Sequence, residues 1–195
     1  MMSPCLVTKD RGCHLSVPFS CKPEKRKPES NVTAVDLGIN TTATIAVVNH
    51  SGTVIHREFV HPGRDIDRRD KRLKSISMRA SKTMGKGGKI HKGLCYLTYN
   101  KCRRIYHQIG HIVSKRIVDV AKKFNSEAIV FENLKGWKPK GGKKRSNLRQ
   151  KFHGWLKSKI RDLTEIKWTE LGGKVIEVVA AYTSKLAYDG SGVAD

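Results

Sequence analysis

One stretch constrains the fold more than any other: Val32-Thr33-Ala34-Val35-Asp36-Leu37-Gly38-Ile39-Asn40-Thr41-Thr42-Ala43-Thr44-Ile45-Ala46-Val47-Val48. Two β-branched runs flank a tight Leu37-Gly38 turn. The pattern predicts two adjacent strands with a carboxylate, Asp36, at the end of the first. A charge on such a strand is costly to bury unless it is paired or binds a metal. The later stretch Ala128-Ile129-Val130-Phe131-Glu132-Asn133-Leu134-Lys135-Gly136 repeats the logic. It is a short apolar strand ending in Glu132.

The other elements fall around these two. Asn49-His50-Ser51-Gly52 is a turn signal, and Thr53–Val60 reads as a third strand that Pro62-Gly63 ends. Three strands on tight turns make an antiparallel meander. A helix is predicted over roughly Arg68–Thr83, then a flexible Gly85–Lys89 loop, then a long helix over about Leu94–Phe124. In that second helix Cys102, Ile105, Tyr106, Ile109, Ile112, Val113, Ile117, Val120 and Phe124 recur at three- and four-residue steps, as one buried stripe would. After the Glu132 strand comes a basic loop. Ser146 or Asn147 can cap a further helix carrying Leu148, Phe152, Trp155, Leu156, Ile160, Leu163 and Ile166 on one side. Gly172-Gly173 stops it, and Lys174–Val179 is a last strand. Residues 1–31 say less. Leu15–Cys21 alternates as one strand could, and the Pro-rich, charged 22–31 segment reads as an exposed linker. The expected architecture is α/β: a mixed sheet with a three-strand antiparallel meander, parallel strands from the helix crossovers, and packed helices. The Asp36 and Glu132 strands can lie side by side, with both carboxylates at one end. Two acids there are poor neighbours without a cation, and divalent ions between them would make a phosphodiester-cleaving site.

Charge points to the partner. The 195 residues carry 39 Lys+Arg against 17 Asp+Glu, a formal charge of +22, far beyond what solubility needs. Nucleic acid is the first expectation and an anionic membrane surface the second. From Lys71 to Val118 there are 13 Lys+Arg and no acid. An ordinary solvated face mixes signs, so this segment is read as a nucleic-acid contact through Arg72, Lys74, Lys82, Lys86, Lys89, Lys92, Arg103 and Arg104. The second basic loop adds Lys138, Lys140, Lys143, Lys144, Arg145 and Arg149. Trp137 beside it could stack on a base or pack as a rim residue on the sheet. No apolar run approaches the ~18 residues of a spanning helix. The N-terminus lacks the apolar core of a signal peptide. A cytoplasmic protein without a membrane partner is expected. The five cysteines, Cys5, Cys13, Cys21, Cys95 and Cys102, form no Cys-x-x-Cys pair, which argues against zinc and against a disulfide framework. His107 and His111, four apart on a helix, have no third ligand nearby and read as helix-surface residues.

In order and motif the chain resembles the RNase H-like nuclease domain in its RuvC form, and more closely the TnpB (OrfB) proteins of insertion sequences, relatives of type V CRISPR nucleases. Val35-Asp36-Leu37-Gly38-Ile39-Asn40 resembles the first catalytic motif, Ile129–Gly136 the second, and Ala181-Tyr182-Thr183-Ser184-Lys185 the stretch leading to the third. The resemblance covers about Val32 to Asp195. It implies an RNA-guided, magnesium-dependent DNA endonuclease of transposition, with DNA and a guide RNA as partners and with Asp36 and Glu132 as metal-binding catalytic carboxylates. It also marks departures. Residues 1–31 stand where the family has a large recognition part. Leu186–Gly192 lacks the first cysteine pair of the family's zinc ribbon, so no zinc is expected. The third catalytic Asp lies beyond that ribbon, and neither Asp189 nor Asp195 matches its context. A truncated member, 32–195 being the nuclease domain, is therefore expected to bind nucleic acid and cut it poorly. The alternatives are a binding-only basic module and a phosphate-binding ATPase of the actin and Hsp70 type. Asp36-Leu37-Gly38 with Thr41 and Thr42 resembles the first loop of the latter, but a second Asp-Gly-Gly-type loop is missing.

Overall fold

The computed structural model describes residues 3–9, 12–18, 20, 22–23, 25, 28–85, 91, 93–134 and 156–179. Strands β1 (Cys5–Lys9) and β2 (Gly12–Ser16) pair antiparallel as a separate hairpin. The sequence predicts one strand here, over Leu15–Cys21. The structure has two, and the second stops at Ser16, two residues before Pro18, which has no N–H for a ladder.

The main sheet holds β3 (Val32–Asp36), β4 (Ala43–Val48), β5 (Val54–Val60), β6 (Ala128–Asn133) and β7 (Lys174–Val179), in the order β5-β4-β3-β6-β7. β3, β4 and β5 form the antiparallel meander, and β3, β6 and β7 run parallel. Mixed pairing of this kind is what the meander and the helix crossovers dictate. The helices are α1 (Gly63–Met84), α2 (Tyr96–Lys123) and α3 (Lys157–Glu170). No helix among the described residues is long and apolar enough to cross a membrane.

Strand alternation sorts the side chains. Thr33 and Val35, then Ala43, Ile45 and Val47, then Ile129 and Phe131 are buried against Ile109, Val113 and Ile117 of α2 and Ile160 and Trp168 of α3. No described helix packs on the other sheet face, called here the open face, and Phe59 and Ile176 are exposed there. α2 and α3 approach closely at Gly110, where an added Cβ would stand 3.2 Å from both Leu163 and Lys159. Lys167 Nζ then donates to His111 O (3.0 Å) and Ser114 Oγ (2.7 Å) across the same contact. At the far end of the sheet, Thr33 Oγ1 and Ser126 Oγ share a buried 2.8 Å hydrogen bond, and Asn31 Nδ2 donates to Phe124 O.

Helix boundaries and faces differ from expectation in three places. α1 starts at Gly63, several residues before Arg68, because Pro62 caps a helix start as readily as it ends a strand. Ile112 and Ile166, assigned to buried stripes, are 42% and 56% exposed. Steps of three drift about 60° per step at 100° per residue, so 160, 163, 166 walks off the face that 160, 164, 168 keeps. Leu148, Phe152 and Trp155 lie outside the described residues.

One ion pair ties β5 to α2. Arg116 donates to both Glu58 oxygens, and Glu58 is also 3.5 Å from His56. The guanidinium holds the Glu58 carboxyl below its ordinary value. A depressed carboxylate stabilises the fold above its unfolded pKa, and that contribution is lost as pH falls through the folded one. Because Arg116 is 53% exposed, a double-mutant cycle of Arg116→Ala and Glu58→Ala should give only about 0.5–1 kcal/mol at neutral pH. The coupling should vanish in acid, as read by urea unfolding across pH.

Candidate functional site

Asp36 is the last residue of β3, and Glu132 lies one residue before the end of β6. The β3–β6 ladder ends at Val35 opposite Phe131, so the two acids are the next residue on each strand, in register. Neighbouring strands stand about 4.8 Å apart. Val35 and Phe131 point into the helical layer, which turns Asp36 and Glu132 toward the open face. Asp36 is exposed and Glu132 half-buried. Thr44 pairs with Asp36 on one side, and Val178 with Glu132 on the other.

The topology singles out this spot. From β3 the chain leaves toward β4, on one side of the sheet. From β6 it leaves through α3 toward β7, on the other. In open α/β sheets ligands bind at the carboxyl ends of strands where the winding reverses. Asp36 and Glu132 flank that reversal.

The turn after Asp36 is tight. A Cβ at Gly38 would stand 2.6 Å from the backbone oxygen of Thr41, so no side chain fits. Close approach, not an unusual φ, requires the glycine. Thr42 is buried, and its Oγ1 lies 3.1 Å from Nδ1 of His61, just past β5 at the same sheet end. Beside Glu132 a cavity of about 190 Å³ is lined by Leu37, Phe131, Leu134, Lys157 and Arg161 among others. Lys157 Nζ donates to Leu134 O at 2.7 Å, and Arg161 pairs with Asp162, Glu165 and Glu177. His61, Lys157 and Arg161 carry no local signal in the sequence, being a lone His after a strand and cations in a helix.

The expected basic residues divide. Lys74, Lys82, Arg103 and Arg104 are exposed on α1 and α2; Arg72 is half-buried, with Nη1 donating to Arg68 O at 3.3 Å. Lys86, Lys89, Lys92, Trp137, Lys138, Lys140, Lys143, Lys144, Arg145 and Arg149 lie outside the described residues. Length fixes where the hairpin stands. α2 enters β6 at the strand's start, so it runs antiparallel to it, and its residues from Ile105 onward join the core under the sheet. The nine residues 96–104 then overhang by roughly 14 Å at 1.5 Å per residue. α1 starts where β5 ends, and Cys102 Sγ lies 3.9 Å from Arg69 O, so the two helices pack side by side along this overhang. The basic hairpin therefore projects from the sheet end that holds Asp36 and Glu132. Among the described residues no group of three or more His, Cys, Asp or Glu could hold a metal ion.

The fold is RNase H-like. It is similar to that of Cas12f1 solved as a complex with sgRNA and target DNA, with a TM-score of 0.66 at 16% identity over 94% of this chain. A CRISPR-Cas12f ternary complex gives 0.62 at 19% over 91%, and the mini-RNA-guided endonuclease CRISPR-Cas_phi3 gives 0.53 at 12% over 85%. The chain spans 35%, 33% and 40% of those chains, respectively. No family model matches the chain, and no curated protein matches it in sequence.

Proposed function

We propose that this chain carries the nuclease centre of an RNA-guided DNA endonuclease of the TnpB (OrfB) kind, with residues from 32 onward as its RuvC-like domain. The observation that carries the reading is the register: Asp36 and Glu132 end adjacent parallel strands, on one face, at the reversal of the winding. The similarity to Cas12f and Cas_phi3 supports guide RNA and target DNA as the partners.

The residues fit magnesium. That ion is held by one or two carboxylates, with water and phosphate oxygens completing its shell. Asp36 and Glu132 would be those carboxylates, and the ion, when bound, would polarise the phosphate and lower the pKa of a water. The rest falls to the chain. The Gly38–Thr41 contact fixes the turn that follows Asp36, and positional precision of this kind decides rate. The β3–β6 ladder sets the spacing of the two acids. Lys74, Lys82, Arg103 and Arg104 on the overhanging hairpin would hold backbone phosphates and steer a strand toward the carboxylates. Lys86, Lys89, Lys92 and the basic residues between 138 and 149 are proposed to extend that contact.

A binding-only module is the second reading. It is favoured by the absence of a third metal-capable acid beside Asp36 and Glu132 among the described residues. One experiment separates the two: purified chain is incubated with end-labelled single-stranded DNA and magnesium. Slow cleavage that stops with EDTA and returns with excess magnesium is expected, as for a site with two acids and no third among the described residues. Salt-sensitive binding without cleavage would leave the binding module.

A further inference from the structure

We propose that Tyr96, Tyr99 and Arg103 of α2 form a stacking face for the unpaired bases of a single nucleic-acid strand. The inference rests on the reading that the α1–α2 hairpin meets nucleic acid, and it adds which form of nucleic acid that is.

Tyr96 and Tyr99 are 51% and 57% exposed, on a helix whose buried stripe runs through Cys102, Ile105 and Ile109. At 100° per residue, 96, 99 and 103 share one flank of the helix within about 60°. Their rises along the axis are about 4.5 and 6 Å. Successive aromatic or guanidinium planes at such steps can each take one base of a strand drawn out of its own stack. Leu97 (76% exposed) and Met78 (54%) are further exposed apolar side chains on the same hairpin.

Charge decides the occupant. The face lies inside the acid-free run, which also holds Arg79, Lys82, Lys101 and Arg104. A protein partner would have to be strongly acidic as well as apolar, whereas a nucleic acid is both anionic and aromatic. Duplex form is the poorer fit, because its base faces are hidden in the stack and only phosphates and edges are on offer. A tyrosine hydroxyl can donate to a phosphate of either form, but the exposed ring faces gain nothing from phosphates. They gain from base faces, which only an unpaired strand presents.

The test compares two fluorescent oligonucleotides of equal length and charge, one ordinary single-stranded DNA and one abasic, by anisotropy over a range of salt. Wild-type chain should bind the base-bearing strand more tightly, and the difference should persist as salt rises, since stacking releases no counterions. Tyr96→Ala and Tyr99→Ala should each cost roughly tenfold for the base-bearing strand and leave the abasic one unchanged. The Phe variants should keep the wild-type affinity. Circular dichroism melts of the variants check that these exposed changes leave the fold intact. Equal binding of the two strands by wild type overturns the stacking face while leaving the nucleic-acid reading standing. So does an Ala variant that weakens both strands alike, or one that changes self-association in sedimentation instead. If neither strand binds at low salt, both readings fall.

Discussion

Asp36→Asn and Glu132→Gln should each abolish magnesium-dependent cleavage, and the double variant should be no slower than either alone. The expected single loss is ~100-fold or more, the scale of a misplaced reacting group. Both replacements keep the size of the side chain and remove one charge. Asp36 is exposed and Glu132 half-buried, so neither change should disturb the core. The non-additivity follows from the geometry. Two carboxylates in register on adjacent strands act on one centre, and groups that act as a unit are not additive when removed. Binding of the strand should survive, and tighten slightly, because each variant removes a negative charge beside a polyanion. Single-turnover rates with each variant, beside anisotropy for binding, separate the effects. A rate unchanged in Asp36→Asn, or two losses that multiply, would mean that the pair is not one centre.

The parts of this site that sequence shows are those written in local pattern. Asp36 and Glu132 stand out because each closes a β-branched or apolar run, and a strand-end charge breaks the period that precedes it. Their pairing is not local, since 96 residues separate them and only the sheet order joins them. The meander could be read because its turns are short and bear Gly, Asn and Ser. α1 was harder: Pro62-Gly63 fits the end of one element and the start of another equally well, and the helix begins there. The overhang of the hairpin is invisible in composition. It emerges only from setting a 28-residue helix against six-residue strands. Tyr96 and Tyr99 did carry a signal, two aromatics three apart, off the buried stripe and inside an acid-free run. The signal gains meaning once their exposure is known. Trp168 was missed for the opposite reason. Three-residue steps from Ile160 lead to Ile166, while the core lies at four- and eight-residue steps.

Trp168→Ala should destabilise the chain by about 3–5 kcal/mol, a large share of the roughly 5–15 kcal/mol that holds a domain folded. Trp168 is 0% exposed and, among the described residues, the largest of the fully buried side chains. It sits in the last turn of α3, where Leu171 and Gly173 donate backbone hydrogen bonds to its carbonyl, at 3.2 and 2.9 Å. The indole thus joins the helix end, the turn into β7 and the core beneath the sheet. Truncation removes the ring's transfer free energy and leaves a cavity besides. The backbone of Gly173 lies against the ring. That contact makes a second, opposite test. A Cβ on Gly173 would overlap the Trp168 indole ring, and the ring has no solvent side to move toward. Gly173→Ala should therefore cost about 1–3 kcal/mol by overpacking. In the Trp168→Ala background the same alanine should cost far less, since the atoms it strikes are gone. Urea unfolding of the two single variants and the double variant reads this coupling directly. Additive costs would place Gly173 and the indole apart and contradict the packing of α3 onto β7.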